Sequence, residues 1–144
     1  MGTKPLNNHI ITGHACLEQG AIWLSRIEPR FALILPRILP LPLRMKPAGF
    51  GPLLQIILGQ QVSVSSANSL WSKLQVADIT TAVAIRSVTQ EDLRVLGLSQ
   101  QKARCALVLA KADINFDRLN YLPTHQVIKS LCVVKSIGMW TAEV

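Results

Sequence analysis

Apolar residues recur at helical spacing along most of this chain, and this periodicity constrains the fold more than any other feature. In one stretch, Ala67, Leu70, Trp71 and Leu74 lie three or four positions apart, which places them on one face of an α-helix. Runs rich in β-branched residues, at 80–83 and 133–134, are short and fall within the same helical spacing. The sequence therefore predicts an all-α protein.

Capping residues predict where two of the helices begin and end. Thr89 is typical of a helix start, because its hydroxyl can cap the first amides while Glu91 and Asp92 place negative charge in the first turn. Gly97 is expected to end that short helix, since glycine readily takes the left-handed conformation after a helix. Ser99 is then the expected cap of the next helix.

A break at Gly59, Gln60 and Gln61 separates two helices of apolar character. The helix before the break carries apolar residues at 53–58 and has Pro52 in its first turn, where proline is favoured. Three serines could cap the helix after the break, and the sequence does not choose among Ser63, Ser65 and Ser66.

Prolines divide the chain into two parts. Pro29 is expected to end or kink the first helix, and residues 36–52 are rich in proline and glycine and predict an irregular crossing segment. We therefore expect N-terminal helices and a proline-rich segment at 1–48, followed by a helical domain at 49–144.

The net charge of +7 predicts a polyanionic partner, and nucleic acid is the usual one. A basic ribosome-associated protein, or a merely soluble one, remains an alternative. The apolar stretch 31–43 contains Arg37 and three prolines and is shorter than the roughly 18 apolar residues of a membrane span. Residues 1–8 lack the apolar core of an export signal, so we expect a cytoplasmic protein without a membrane partner.

Cysteine and histidine are scattered along the chain rather than paired. The three cysteines and three histidines form neither a CxxC pair nor any spacing typical of a metal site. We therefore expect no metal, no cofactor and reduced thiols that pack as small apolar groups. The residues concerned are Cys16, Cys105, Cys132, His9, His14 and His125.

The segment 131–142 predicts two helices joined by a tight turn at Ser136, Ile137 and Gly138, with the second helix beginning near Met139. Glycine in such a turn permits a positive φ or a close approach of another backbone. Amides left unpaired at the start of the second helix are natural donors to a phosphate oxygen. A contact of this kind binds the DNA backbone without reading its sequence.

Three segments together resemble the helix-hairpin-helix DNA glycosylases, in their DNA-3-methyladenine glycosylase II (AlkA-like) branch. The segment 50–63 is similar to the pattern F-x-x-L-x-x-x-I-apolar-G-Q-Q-apolar-S, and the segment 93–103 to L-R-x-x-G-L-S-x-x-K-A. The hairpin 131–142 resembles the third pattern, which ends in G-x-W-T-A. The resemblance implies a helix-hairpin-helix glycosylase-like bundle that is C-terminally incomplete, with residues 1–144 forming a partial domain.

The resemblance implies DNA contacts in the loop at Gln60 and Gln61, after the helix that carries the apolar residues 53–58. Gln61 matches the side chain that enters the duplex where the damaged nucleotide is flipped out, and Gln60 and Ser63 lie beside it. Such a side chain fills the vacated stack, because extruding a base costs a few kcal/mol. The alternative is that the two glutamines merely cap the interrupted helix.

The resemblance also implies a phosphate contact and a base pocket in the hairpin. Lys135, Ser136, Gly138 and Met139 would form the phosphate cradle, mainly through their backbone, and Thr141 would add its hydroxyl or amide. Trp140 matches the aromatic residue beside the base pocket, where an indole stacks on a cationic purine. The alternative for Trp140 is a core residue that pins the hairpin. Lys102 is expected to be a solvated charge on a helix face, with a contact to a phosphate as the alternative.

Ser136 stands where the family's hairpin usually has its first glycine. A serine there could add a hydrogen bond, or hinder the turn if that position needs a positive φ.

The implied activity is hydrolysis of the N-glycosidic bond of alkylated purines, of the 3-methyladenine type, in base-excision repair. In the family an aspartate about twenty residues after the hairpin tryptophan stabilises the cationic sugar, and that position lies beyond Val144. We therefore expect no catalytic residue and no activity in the chain as given. The implied partner is double-stranded DNA with a damaged base, bound by a monomer. A non-catalytic DNA-backbone-binding module and a non-functional remnant are the alternatives.

Overall fold

The computed structural model describes residues 11–143, and in that range the backbone forms ten helices and no strand. The prediction of an all-α protein is confirmed, whereas the prediction about an export signal at 1–8 lies outside the described residues. In chain order the helices are α1 (His14–Ile27), α2 (Pro29–Ile38), α3 (Phe50–Gly59), α4 (Val64–Val76), α5 (Ala82–Arg86), α6 (Gln90–Val95), α7 (Gln100–Lys111), α8 (Phe116–Leu119), α9 (Thr124–Cys132) and α10 (Met139–Glu143).

Two compact units make up the chain, the first ending at Met45 and the second beginning at Lys46. The first contains α1 and α2, neither of which has a buried residue. Glu28 separates these helices, and its carboxylate accepts a hydrogen bond from the backbone amide of Arg30 at 3.2 Å. Pro29 is thus the first residue of α2, where its missing N–H costs nothing.

The proline-rich segment is shorter than the sequence predicted. The prediction of an irregular segment at 36–52 is wrong at both ends, because α2 continues to Ile38 and α3 begins at Phe50. Pro36 removes one backbone hydrogen bond but has a helical φ, so the helix ends only after Ile38. Pro52 lies in the first turn of α3, where no partner for its nitrogen is needed.

The core of the second unit is formed by the apolar faces of helices α3 to α9. Leu54 and Leu58 on α3, with Ala103 and Ala106 on α7, have no exposed surface, and small alanines let these helix backbones approach closely. The buried apolar residues are Leu53, Leu54, Ile57, Leu58, Leu74, Ile85, Leu93, Leu98, Ala103, Ala106, Leu109, Ala110, Leu131, Val134 and Ile137. This core fixes α3, α7 and the end of α9, which carry the candidate site.

The predicted helix caps are confirmed. Thr89 and Asp92 form a reciprocal capping box at the start of α6, and Gly97 has a φ of 103° beyond its end. Ser99 accepts a hydrogen bond from an amide in the first turn of α7. Of the three serines that could cap α4, Ser63 is the N-cap.

The described residues were also compared with what a membrane span, a metal site or a disulfide would require. Within residues 11–143 no helix is long and apolar enough to cross a membrane, and no three side chains among His, Cys, Asp and Glu lie close enough to hold a metal ion. The three cysteines are free thiols, with Cys132 exposed and Cys16 and Cys105 half-buried.

Candidate nucleic-acid interface

Gln60 and Gln61 form the turn that ends α3. Gln60 is extended, with φ −66° and ψ 134°, and its amide donates to the carbonyl of Ile57 at 3.2 Å. Gln61 then takes a φ of 58°, in the left-handed region that a residue with a Cβ rarely adopts. Its side chain is exposed. The local backbone therefore holds a solvent-facing glutamine at the position for which insertion into DNA was predicted.

Ser63 closes this turn at the start of α4. Its Oγ accepts from the amide of Ser66 at 3.1 Å and lies 2.9 Å from the Oγ of Ser66. The predicted DNA contact of Ser63 stays a prediction, and the side chain already has a capping role. Val62 and Val64 beside it are 39% and 78% exposed, so some apolar surface lies next to Gln61.

The hairpin turn is anchored by side chains that point inward. Leu131, Val134 and Ile137 are buried, and the amides of Val134 and Ile137 donate to the carbonyls of Leu131 and Val134 at 3.0 and 2.8 Å. Gly138 and the two residues that follow are exposed. The turn is therefore fixed from the inside while its backbone at Gly138 faces solvent.

The exposed side of the turn has free donors. Within the described range, none of the backbone amides from Gly138 to Thr141 donates a hydrogen bond, and the first paired amide is that of Ala142, which donates to the carbonyl of Gly138 at 3.0 Å. A Cβ built on Gly138 would meet no atom of residues 11–143 within 4 Å. Gly138 does not adopt a positive φ, and no other backbone among the described residues approaches it closely, so neither of the two predicted reasons for glycine is seen within the protein.

Ser136 fits the turn without strain, since it is not among the residues with positive φ. Of the two alternatives for Ser136, hindrance of the turn is therefore wrong, because its condition of a positive φ is not met. Its Oγ is buried and has no hydrogen-bond partner within the described residues. The added hydrogen bond that the sequence suggested is thus also not formed inside the protein.

Thr141 turns toward the protein core. It is 6% exposed, and its Oγ1 accepts a hydrogen bond from Nε2 of Gln60 at 2.7 Å. The predicted phosphate contact through the Thr141 hydroxyl is thereby corrected, because that hydroxyl is buried and already bonded to Gln60. The same bond draws the half-buried Gln60 into the packing between the end of α3 and α10. Sequence reasoning placed both residues in the site and missed the bond that joins them.

Lys102 is not the solvated charge that the sequence predicted. Its Nζ donates to the carbonyl oxygen of Leu58 at 2.6 Å, in a partly buried position, and desolvation lowers the pKa of its ammonium. The correction has a simple cause: α7 packs beside α3, so a residue on its first turn reaches the end of the neighbouring helix. No local pattern around Lys102 signals this contact.

Trp140 is 65% exposed and Met139 is 61% exposed. The alternative that Trp140 is a core residue is therefore wrong. An apolar groove of about 230 Å³ lies among α3, α8, α9 and α10 and is lined by residues including Ile56, Leu131 and Thr141. Trp140 is not among the residues that line it. Its role beside a flipped base stays a prediction, as does the cradle role of the exposed Lys135.

Three solved structures are similar to this chain. A DNA-3-methyladenine glycosidase from Bacillus halodurans is 27% identical with a TM-score of 0.64, over 72% of this chain and 51% of that chain. The 3-methyladenine DNA glycosylase of Schizosaccharomyces pombe, in complex with abasic DNA, is 20% identical with a TM-score of 0.75, over 87% and 66%. A 3-methyladenine DNA glycosylase from Archaeoglobus fulgidus is 24% identical with a TM-score of 0.69, over 88% and 48%.

The similarity is carried by structure, since no family model and no curated protein sequence matches this chain. The chain spans between 48% and 66% of the length of these three structures. The TM-scores of 0.64, 0.75 and 0.69 indicate that the chain shares the helical fold of these three proteins.

Proposed function

We propose that this chain, which has the helical fold of the 3-methyladenine DNA glycosylases, acts in base-excision repair on double-stranded DNA with a damaged base. The reaction is hydrolysis of the N-glycosidic bond of an alkylated purine after the nucleotide is flipped out of the duplex. The bond between Gln60 and Thr141 carries the proposal, because it joins the two segments that this function requires, the loop at Gln61 and the turn at Gly138.

The turn at Gly138 is proposed to bind a phosphate of the DNA backbone. In the part of the chain that the structure describes, the amides here are unpaired and no atom lies within 4 Å of a Cβ built at this glycine, which leaves room for a phosphate oxygen to approach the main chain. Lys135, exposed just before the turn, would add a charge. Contacts of this kind hold the duplex in a fixed register and are independent of base sequence.

The loop at Gln61 is proposed to enter the duplex at the flipped nucleotide. A side chain that fills the vacated stack recovers part of the few kcal/mol that extrusion costs. The left-handed backbone at Gln61 supports this role, because strained residues in exposed loops are characteristic of functional positions. The exposed Val62 and Val64 offer apolar surface to the unstacked bases beside it.

Trp140 is proposed to stack on the flipped purine. An exposed indole can stack without giving up contacts inside the protein. Its face also attracts a positively charged ring, and alkylated purines carry such a charge. The complex of the Schizosaccharomyces pombe structure contains abasic DNA, which is the product that base excision leaves. We further propose that the protein binds DNA as a monomer in the cytoplasm, or at the nucleoid in a prokaryote, and needs no metal or cofactor.

The test compares two 20-base-pair duplexes, one with a central tetrahydrofuran abasic site and one undamaged. Fluorescence anisotropy of labelled DNA gives both dissociation constants over a range of salt concentrations. We expect tighter binding to the abasic duplex, because no base has to be extruded there, and weaker binding to both as salt rises. Equal affinity for the two duplexes at every salt concentration would overturn the proposal of base flipping.

A base-release assay distinguishes the hypothesis of a glycosylase from the two alternatives, a non-catalytic DNA-binding module and a non-functional remnant. Release of 3-methyladenine from alkylated DNA is measured for the 144-residue chain and for the product of the whole reading frame that contains this sequence. Release by both would show that residues 1–144 carry the catalytic group, and release by the latter alone would place that group outside them. Lesion-independent, salt-sensitive binding without release would identify a DNA-backbone-binding module, and absence of binding a non-functional remnant.

A further inference from the structure

The end of α3 is held by a charge from another helix. Nζ of Lys102, in the first turn of α7, lies 2.6 Å from the carbonyl oxygen of Leu58 in the last turn of α3. The last carbonyls of a helix have no partner within it and carry the negative end of the helix dipole. An ammonium at this distance satisfies one carbonyl and compensates that charge.

No residue of α3 itself supplies this compensation. The last turns of eight helices each contain a basic residue, whereas α3 and α10 have none within the described chain. The eight residues are Arg26, Arg37, Lys73, Arg86, Arg94, Lys111, Arg118 and Lys129. Lys102 therefore stands in for a cation that α3 lacks, and it does so from a helix distant in sequence.

The base of Lys102 is rigid. Its backbone amide donates to Oγ of Ser99 at 3.3 Å, in the cap of α7, and the adjacent Ala103 is fully buried against the core. The side chain thus extends from a fixed point, and its ammonium is partly desolvated. A flexible surface lysine would not keep its Nζ on one carbonyl, because holding a long side chain costs conformational entropy.

Leu58 lies three residues before Gln61, so the contact acts where the chain leaves α3. From this placement we propose that Lys102 is a positioning residue: its bond to the Leu58 carbonyl sets the direction in which the Gln61 loop meets DNA. The inference rests on the proposed function of that loop. The Gln60–Thr141 bond fixes the loop on its other side, so the segment 58–61 is held at two points.

The experiment compares Lys102→Met with Lys111→Met. Lys111 is exposed at the end of α7, so both variants lose one positive charge from the same helix. Binding is measured to the abasic and undamaged duplexes described above. Lys111→Met is expected to change the affinity for the two duplexes by the same factor, or to leave both affinities unchanged. Lys102→Met is expected to reduce the affinity for the abasic duplex alone by a further factor of about 5–10, which corresponds to about 1–1.4 kcal/mol of binding free energy.

Two more measurements separate positioning from stability. Lys102→Arg keeps a cation that can reach the carbonyl and is expected to restore most of the preference for abasic DNA. Hydrogen exchange without DNA is expected to accelerate at residues 59–62 in Lys102→Met and to stay unchanged at α9. If Lys102→Met does not fold, Lys102→Gln, whose shorter amide cannot reach the Leu58 carbonyl, takes its place in both comparisons.

The possible failures are distinguishable. If the wild-type chain shows no preference for the abasic duplex, both the proposed function and the positioning role of Lys102 are contradicted. A wild-type chain with the preference, combined with an unchanged preference and unchanged exchange at 59–62 in Lys102→Met, would overturn the positioning role alone.

Discussion

Nε2 of Gln60 lies 2.7 Å from Oγ1 of Thr141, although the two residues are 81 positions apart in the chain. Gln60 follows the last residue of α3, and Thr141 lies on α10. Thr141 is 6% exposed and Gln60 is half-buried, so the bond is partly buried, and the Thr141 hydroxyl would be costly to leave unpaired. The loop at Gln61 and the turn at Gly138 are consequently fixed relative to one another.

A double-mutant cycle on this bond should reveal coupling. Thr141→Val leaves the Gln60 amide without its partner and is expected to lower the free energy of unfolding by about 1–3 kcal/mol. Gln60→Leu should cost a similar amount, because it orphans the buried hydroxyl. The double variant is expected to lose about 1 kcal/mol less than the sum, measured by urea denaturation.

An exposed bond of the same unit provides the control. Nζ of Lys46 donates to Oε1 of Gln55 at 2.9 Å in an exposed position. The cycle of Lys46→Met and Gln55→Leu should show coupling near zero, since water replaces either partner. Strict additivity at Gln60 and Thr141 would mean that their bond contributes nothing to the fold.

Gln61→Gly separates the backbone of the loop from its side chain. Glycine adopts a φ of 58° without steric cost but loses more entropy on folding, so the free energy of unfolding should change by less than about 1 kcal/mol. The preference for abasic over undamaged DNA should disappear, since no side chain remains to fill the stack. Both quantities are measured on one preparation, by urea denaturation and by anisotropy.

Asp78→Gly is the matched control, because Asp78 has a φ of 56° at the end of α4. It removes a negative charge, so it can strengthen binding to DNA but should not abolish the preference for the abasic duplex. A Gln61→Gly variant that still prefers abasic DNA would remove this residue from the proposed site.

Local signals made much of this fold predictable. The caps at Thr89 and Ser99 and the left-handed Gly97 depend on neighbours within a few residues, so the sequence alone was sufficient. The turn at 136–138 was predicted for a similar reason, because buried apolar residues before it and an exposed glycine within it form one short pattern.

The contacts that shape the candidate site were not predictable in this way. Lys102 reaches Leu58 across 44 positions, and Gln60 reaches Thr141 across 81. Both depend on which helices pack side by side, and a polar residue's sequence neighbours carry no information about that. The exposure of Trp140 is of the same kind, since a tryptophan in an apolar context is as compatible with a core as with a surface.

Lys135→Gln should weaken DNA binding without changing its selectivity. If Lys135 neutralises one phosphate, its loss lowers the slope of the logarithm of affinity against the logarithm of salt concentration by about 1. The loss should be equal for abasic and undamaged duplexes, because a phosphate contact carries no information about the base. Lys111→Gln, with the same charge change, should leave the slope unaltered, and equal slopes for both variants would contradict the cradle at the turn.

Asp92 should make the stability of the fold sensitive to acid. Hydrogen bonds from the Thr89 hydroxyl and amide, at 2.6 and 2.8 Å, hold the pKa of Asp92 below its ordinary value. A carboxyl whose pKa is lower in the folded state contributes stability that is complete above its unfolded-state pKa and is lost as pH falls through the folded-state pKa. As pH is lowered into the acid range, the free energy of unfolding from urea denaturation should therefore fall less steeply for Asp92→Asn than for the wild type. Identical slopes for the two proteins would count against the capping box.

Trp140→Leu should affect recognition of the base and leave the fold intact. Since Trp140 is 65% exposed, the variant should change the free energy of unfolding by less than about 0.5 kcal/mol. Its affinity should fall more for a duplex with the cationic base 7-methylguanine than for one with guanine, because the indole face attracts positive charge. Trp140→Phe keeps a ring with a weaker attraction and should lie between the wild type and Trp140→Leu. Equal losses on both duplexes, measured by anisotropy, would place Trp140 outside the base pocket and leave it as a contact to the DNA backbone.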